Sequence, residues 1–193
     1  MNLRLAEGCT RCPELVANRS CIVHGYGLNG GQAPRRVLFV GEAPGYRGGD
    51  RTGVPFTSDR SGVRLQKALI ELGLSDEVDP YHPRPRLRCF VSNVVRCNPP
   101  ANRTPRRPEI ENCLSYLWQE IEAVRPEIVV PIGNVAARAL FPRLVGRPAL
   151  PITRIHARVV GAAPLVLPMR HPARISNADM ARFVAALGDL LAA

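Results

Sequence analysis

At 193 residues, 46% of them hydrophobic and 22% charged, the chain suits one well-buried domain and is too short for two ordinary ones. No apolar run approaches bilayer-spanning length and the N-terminus lacks a signal-peptide core, so a cytoplasmic protein with no membrane partner is expected. The net charge of +10 points to a polyanion, most simply nucleic acid, with a generally basic surface as the bland alternative; Lys67 is the one lysine among the basic residues.

In chain order, the stretch 1–34 carries Cys9-x-x-Cys12, Cys21 and a Gly-rich run, with little apolar periodicity to hold a shape unaided. Val37 to Val40 reads as a strand buried on both faces, running into the sharp turn Gly41-Glu42-Ala43-Pro44-Gly45 at its carboxyl end. Ligands of open α/β sheets bind at that end, and Glu42 is the acid there. Ser61 is placed as the cap of a helix over 62–72, with Leu65, Ala68, Leu69 and Leu72 on one face. The proline-bearing stretch 76–88 reads as loop, and 90–95 as a second strand bearing Asn93 near its end. A Pro-rich loop from Asn98 to Pro105 precedes the clearest helix, which starts at Pro108 and repeats apolar residues from Ile110 to Val124. A strand over 128–132 stops at Gly133-Asn134, and a short helix runs to Leu140. The stretch 152–168 looks like a hairpin or strand pair whose last strand delivers Arg170-His171-Pro172. A final helix over 178–191 takes Asn177 as its cap. Strands alternating with helices give one α/β domain over 1–193 with a short, mostly parallel sheet.

Six cysteines in a reducing compartment favour metal over disulfides. Cys9 and Cys12, with Cys97 and Cys113, offer four thiolates, a set that serves zinc or one [4Fe–4S] cluster. Zinc ribbons prefer two C-x-x-C knuckles, which the long second spacing fits badly. Cys113 also sits on the apolar stripe of its helix, so a plain core role competes; Cys21 and Cys89 read as core, with Cys21 the one rival ligand.

An ordered set of segments then resembles a known family. The set comprises Cys9-x-x-Cys12, the 41–45 turn, Gly53-Val54-Pro55-Phe56, Ser92 to Cys97, Pro99 to Pro105, Cys113 and His171-Pro172. Together they resemble the iron–sulfur uracil-DNA glycosylases, the type often called family 4, over most of the chain. The resemblance implies a three-layer α/β/α sandwich with a short four-stranded parallel sheet. It implies a [4Fe–4S] cluster on Cys9, Cys12, Cys97 and Cys113 that ties down the 1–34 segment. It implies a base-excision-repair enzyme that flips uracil out of DNA and hydrolyses its glycosidic bond, leaving an abasic site. Phe56 would stack on the flipped base, Asn93 would read its edge, and backbone amides between Gly41 and Gly45 would hold base or phosphate. His171 would stabilise the departing uracil anion, and Glu42 would orient water or the sugar cation. Arg174 would contact phosphate and Ile175 would wedge into the vacated stack. A monomer at the nucleoid, with no nucleotide cofactor and no lyase step, completes the expectation.

Two segments depart from the family pattern beside the expected pocket: Tyr46 to Asp50, and Thr57 to Gly62. Hypoxanthine, xanthine or a 5-substituted uracil therefore stand beside uracil as substrates. Gly45 stands where the best-known uracil-DNA glycosylases place a tyrosine that excludes thymine, a task that could pass to Tyr46. The rival readings are a non-catalytic iron–sulfur nucleic-acid-binding module of the same fold, and a zinc-stapled nucleotide hydrolase.

Overall fold

The computed structural model describes residues 2–193. Six strands form a single mixed sheet: β1 (Asn2–Leu3), β2 (Gly25–Gly27), β3 (Val37–Gly41), β4 (Phe90–Asn93), β5 (Ile128–Pro131) and β6 (Leu165–Val166). Their spatial order is β1-β2-β4-β3-β5-β6. Neighbours β4, β3, β5 and β6 run parallel, whereas β1 and β2 add an antiparallel edge against β4. The sheet is thus larger than the four parallel strands expected, and mixed. Two- and three-residue strands carry too few alternations to show in a sequence.

The middle strand, β3, explains its own composition. Every residue from Val37 to Gly41 is buried, because helices cover both faces. Val37 and Phe39 point to one face, where Leu65 and Leu69 of α3 (Arg60–Glu71) and Phe183 and Leu187 of α7 (Asn177–Ala192) pack. Leu38 and Val40 point to the other, against Leu117 of α4 (Arg107–Val124) and Leu140 of α5 (Gly133–Leu144). This alternation is what the two-residue period of a strand demands, and it gives three layers.

Short helices complete the chain: α1 (Pro13–Asn18), α2 (Gly49–Thr52) and α6 (Ile152–Ile155). Two caps differ from expectation by one or two residues. Asp59, not Ser61, caps α3 by accepting from Gly62 N at 2.7 Å. Ser176, not Asn177, caps α7 through Asp179 N. The expected strand pair at 152–168 is instead α6 followed by a single antiparallel bridge, Val160 to Val166. A parallel bridge from Ile132 to Met169 brings the next residues, 170–174, to the carboxyl edge beside β5.

Several contacts tie the stretch 2–34 to the rest of the fold. Besides β1 and β2, Arg11 donates to Ser115 Oγ at 3.0 Å and Val23 N to the Arg96 carbonyl at 2.8 Å. Asn18 donates to the Asn98 carbonyl at 3.0 Å.

Candidate active site

Gly41 and Asn93 are direct register partners at the carboxyl ends of β3 and β4. A side chain at 41 would place its Cβ 2.5 Å from Asn93 Oδ1 and 2.5 Å from Phe56 Cζ, so only glycine lets the amide and the ring meet there. Asn93 is 3% exposed, and its Nδ2 has no hydrogen-bond partner. Leaving such a donor unpaired costs free energy unless a ligand supplies the acceptor.

Phe56 is half-buried and sits at φ +54°, a backbone region an aromatic residue seldom takes. Helix α3 holds it there. Gln66 donates to the Phe56 carbonyl at 3.2 Å, and the helix starts so close that a Cβ on Gly62 would lie 2.7 Å from the Phe56 carbonyl carbon. The ring is therefore presented by strain that the fold maintains.

Glu42 follows Gly41 and is half-buried. Burial pushes its carboxyl up, against the lowering effects of a Thr104 hydroxyl hydrogen bond and the Arg174 charge. His171, also half-buried, is pushed down, mainly by burial and then by Arg174, while Asp59 opposes the shift. Its Nδ1 accepts from Ala173 N at 3.4 Å, which leaves the proton on Nε2. The residue is a neutral imidazole with a donor free for a ligand.

Asp59 is the acid that sequence reasoning left out. One carboxylate oxygen caps α3; the other lies where a Cβ on Gly45 would be 3.2 Å away and one on Gly48 2.5 Å away. The absence of side chains at 45 and 48 thus makes room for a second carboxylate, whose charge reaches His171. An Asp three residues before Gly62, ahead of an apolar-periodic run, was the available signal, and it marks a cap rather than a site.

The other expected residues fall as follows. Arg174 is exposed and close enough to bias both Glu42 and His171. Ile175 is 4% exposed, and its carbonyl accepts from Arg64 at 2.7 Å. Ile175 here packs against its neighbours rather than protruding. Tyr46 is 63% exposed, at the surface beside Gly45.

Cys9, Cys12, Cys97 and Cys113 line one cavity, together with Leu15, Arg19 and Asn112. Arg19 donates to Cys97 Sγ at 3.2 Å and Asn112 to Cys12 Sγ at 3.4 Å, the kind of contact that stabilises sulfur carrying negative charge. No group of three His, Cys, Asp or Glu among the described residues is arranged to hold a single metal ion. The four thiols share one space, as the sequence spacing led one to expect. Cys89 is fully buried in the core, and Cys21 donates to the Asp50 carbonyl at 3.2 Å instead of facing the cavity.

Beneath the pocket and the cysteines lies a buried ion pair. Arg96 meets Glu120 Oε2 at 2.6 Å, both side chains being 1% exposed. Ser92 Oγ donates to the same oxygen at 2.6 Å, and Gly25 N donates to Oε1 at 3.0 Å.

Known proteins resemble the chain over most of its length. The model of the uracil DNA glycosylase superfamily matches residues 29–191. A type-5 uracil-DNA glycosylase of Pyrobaculum aerophilum is 40% identical over 171 residues, covering 80% of this chain and 73% of its own. A type-4 uracil-DNA glycosylase of the same organism is 37% identical over 149 residues, 75% of this chain and 65% of that protein. The type-4 enzyme of Archaeoglobus fulgidus is 33% identical over 171 residues, 84% of this chain and 79% of its own.

Proposed function

Because this chain belongs to the uracil DNA glycosylase superfamily, we propose that it removes uracil from DNA by hydrolysing the N-glycosidic bond. The observation that carries the reading is the buried, unpartnered amide of Asn93, set over Gly41 beside the ring of Phe56. A flat base with adjacent donor and acceptor on one edge satisfies that amide while stacking on the ring. Cytosine presents its own amino group to the Asn93 donor and leaves it unpaired, so it is rejected.

In the reaction, water adds to the sugar C1′ as the bond from C1′ to the uracil nitrogen breaks. The bonding electrons leave with the base. His171 Nε2–H donates to the developing uracil anion; being neutral, it does so without surrendering its proton outright. Glu42 as carboxylate orients the water and takes its proton, and its charge stabilises the cationic sugar. Glu42 then releases the water's proton to solvent and the uracil anion takes one up from solvent, so the products are neutral uracil and an abasic site.

We further propose a [4Fe–4S] cluster on Cys9, Cys12, Cys97 and Cys113, supported by their common cavity and by the donors from Arg19 and Asn112. It would be a structural tie between α1, the β4 end and α4, and takes no part in the hydrolysis. A brown protein absorbing near ~400 nm would support it; a colourless protein with bound zinc would overturn it. The protein is proposed to act as a monomer on DNA at the nucleoid.

The experiment is cleavage of a labelled single-stranded oligonucleotide containing one uracil, with alkali added to reveal abasic sites. Wild type, His171→Ala and Asn93→Ala run in parallel, with a hypoxanthine oligonucleotide beside them. Scission at uracil that falls at least about tenfold in each variant is expected. Scission at hypoxanthine alone would change the base assignment. No scission from folded protein would overturn the enzyme reading and leave the binding module.

A further inference from the structure

A second concave surface adjoins the base pocket and is lined by Ser20, Tyr46, Arg47, Arg51 and Ser58. Its walls continue those of the pocket: Tyr46 follows Gly45, and Ser58 lies two residues beyond Phe56 and one before Asp59. The backbone here is fixed before any ligand arrives. Tyr46 N donates to Asn102 Oδ1 at 2.8 Å, and Asn98 Nδ2 donates both to that oxygen and to the Pro44 carbonyl, each at 2.8 Å. What this rigid backbone presents is an aromatic ring, 63% exposed, and two guanidinium groups. Neither Arg47 nor Arg51 has a side-chain hydrogen bond or ion pair among the described residues. The acid between them, Asp50, is 1% exposed and engaged below the surface by Ser20 N at 3.0 and 3.2 Å.

An exposed ring beside two unpaired guanidiniums, on a concave rigid surface, is the chemistry that holds single-stranded nucleic acid. We propose that this groove seats the nucleotide next to the extruded one. Arg47 and Arg51 hold its phosphate and Tyr46 stacks on its base. A base still paired in a duplex offers no free face to Tyr46, so the groove favours a substrate strand that is single-stranded or locally opened. The assignment rests on the glycosylase reading, since that reading says which strand passes here.

The test is fluorescence anisotropy of an undamaged single-stranded oligonucleotide, over a range of salt, on wild type, Tyr46→Ala, Tyr46→Phe and the double variant Arg47→Gln/Arg51→Gln. Each variant is first shown to melt where the wild type does. Tyr46→Ala is expected to weaken binding about tenfold with an unchanged salt slope, and Tyr46→Phe to retain wild-type affinity. The double variant should reduce the slope of log affinity against log salt by about 0.7 to 1.4, as for one or two lost phosphate contacts. An unchanged slope in the double variant, or unchanged affinity in Tyr46→Ala, overturns the proposal. So does a Tyr46→Ala protein that binds normally but begins to excise thymine, which would make Tyr46 a gate. Because undamaged DNA is used, these shifts in a wild type that cleaves no uracil would uphold the groove and sink the glycosylase reading alone.

Discussion

Asn93 is held in place by the strand, not by its own side-chain bonds through Nδ2, so removing it should cost function far more than stability. Asn93→Ala is expected to lower kcat/KM on uracil-containing DNA by about 100-fold while leaving the melting temperature nearly unchanged. A matching drop in melting temperature would make it a structural residue. The titrating pair gives a second expectation. Glu42 has a raised folded pKa, so the stability linked to its protonated form is present below 4.5 and is lost as pH rises through the folded value. His171 is the reverse: the stability linked to the neutral ring is present above 6.5 and is lost as pH falls through its lowered folded value. Activity should therefore climb with pH along a limb displaced above the ordinary carboxylate range. Glu42→Gln should flatten that limb in a kcat/KM profile and be no less stable than wild type at neutral pH. The positions of Glu42, Asn93 and His171 at the sheet's carboxyl edge were legible because each polar residue ends an apolar strand or follows one. Asp59 was not, because its second oxygen acquires meaning only when the folded turn carries it over Gly45 and Gly48.

Among the elements, β3 and α4 were legible, as a four-residue apolar run and a long three-and-four repeat leave little choice. β1 and β2 were not: their pairing is dictated by the exposed edge of β4, a partner more than sixty residues away. The same tertiary dependence sets the turn before α3. Gly62→Ala would push a methyl carbon into the backbone of Phe56 and Thr57, both 2.7 Å away. It should destabilise the protein by about 1–3 kcal/mol in urea unfolding and lower activity by displacing the Phe56 ring. The ion pair between β4's continuation and α4 gives a sharper test. Glu120→Gln leaves Arg96 buried without a counter-charge and should cost about 3–5 kcal/mol. The double change Arg96→Met/Glu120→Leu removes both charges and should cost less than Glu120→Gln alone in the same measurement; a larger loss would mean the pair's geometry, not its charge balance, is what the fold needs.

For the molecule as a whole, the +10 charge favours polyanions in general, while the proposed base site sits at the carboxyl edge of the sheet. Charge was legible in the composition and its distribution was not, since several arginines are consumed internally: Arg96 by Glu120, Arg103 by Glu109 and Arg170 by Asp179. The placement of the 1–34 stretch has a consequence for the order of events during synthesis. Gly25 finds Glu120, and Tyr26 finds Val91, so the opening segment can settle only after the chain has grown past α4. Gly25 and Glu120 stand 95 positions apart, which at ~5–20 residues per second means roughly 5–20 s of translation with the opening segment undocked. Chains released from the ribosome before residue 120 should lose that segment to a protease, and full-length chains should keep it.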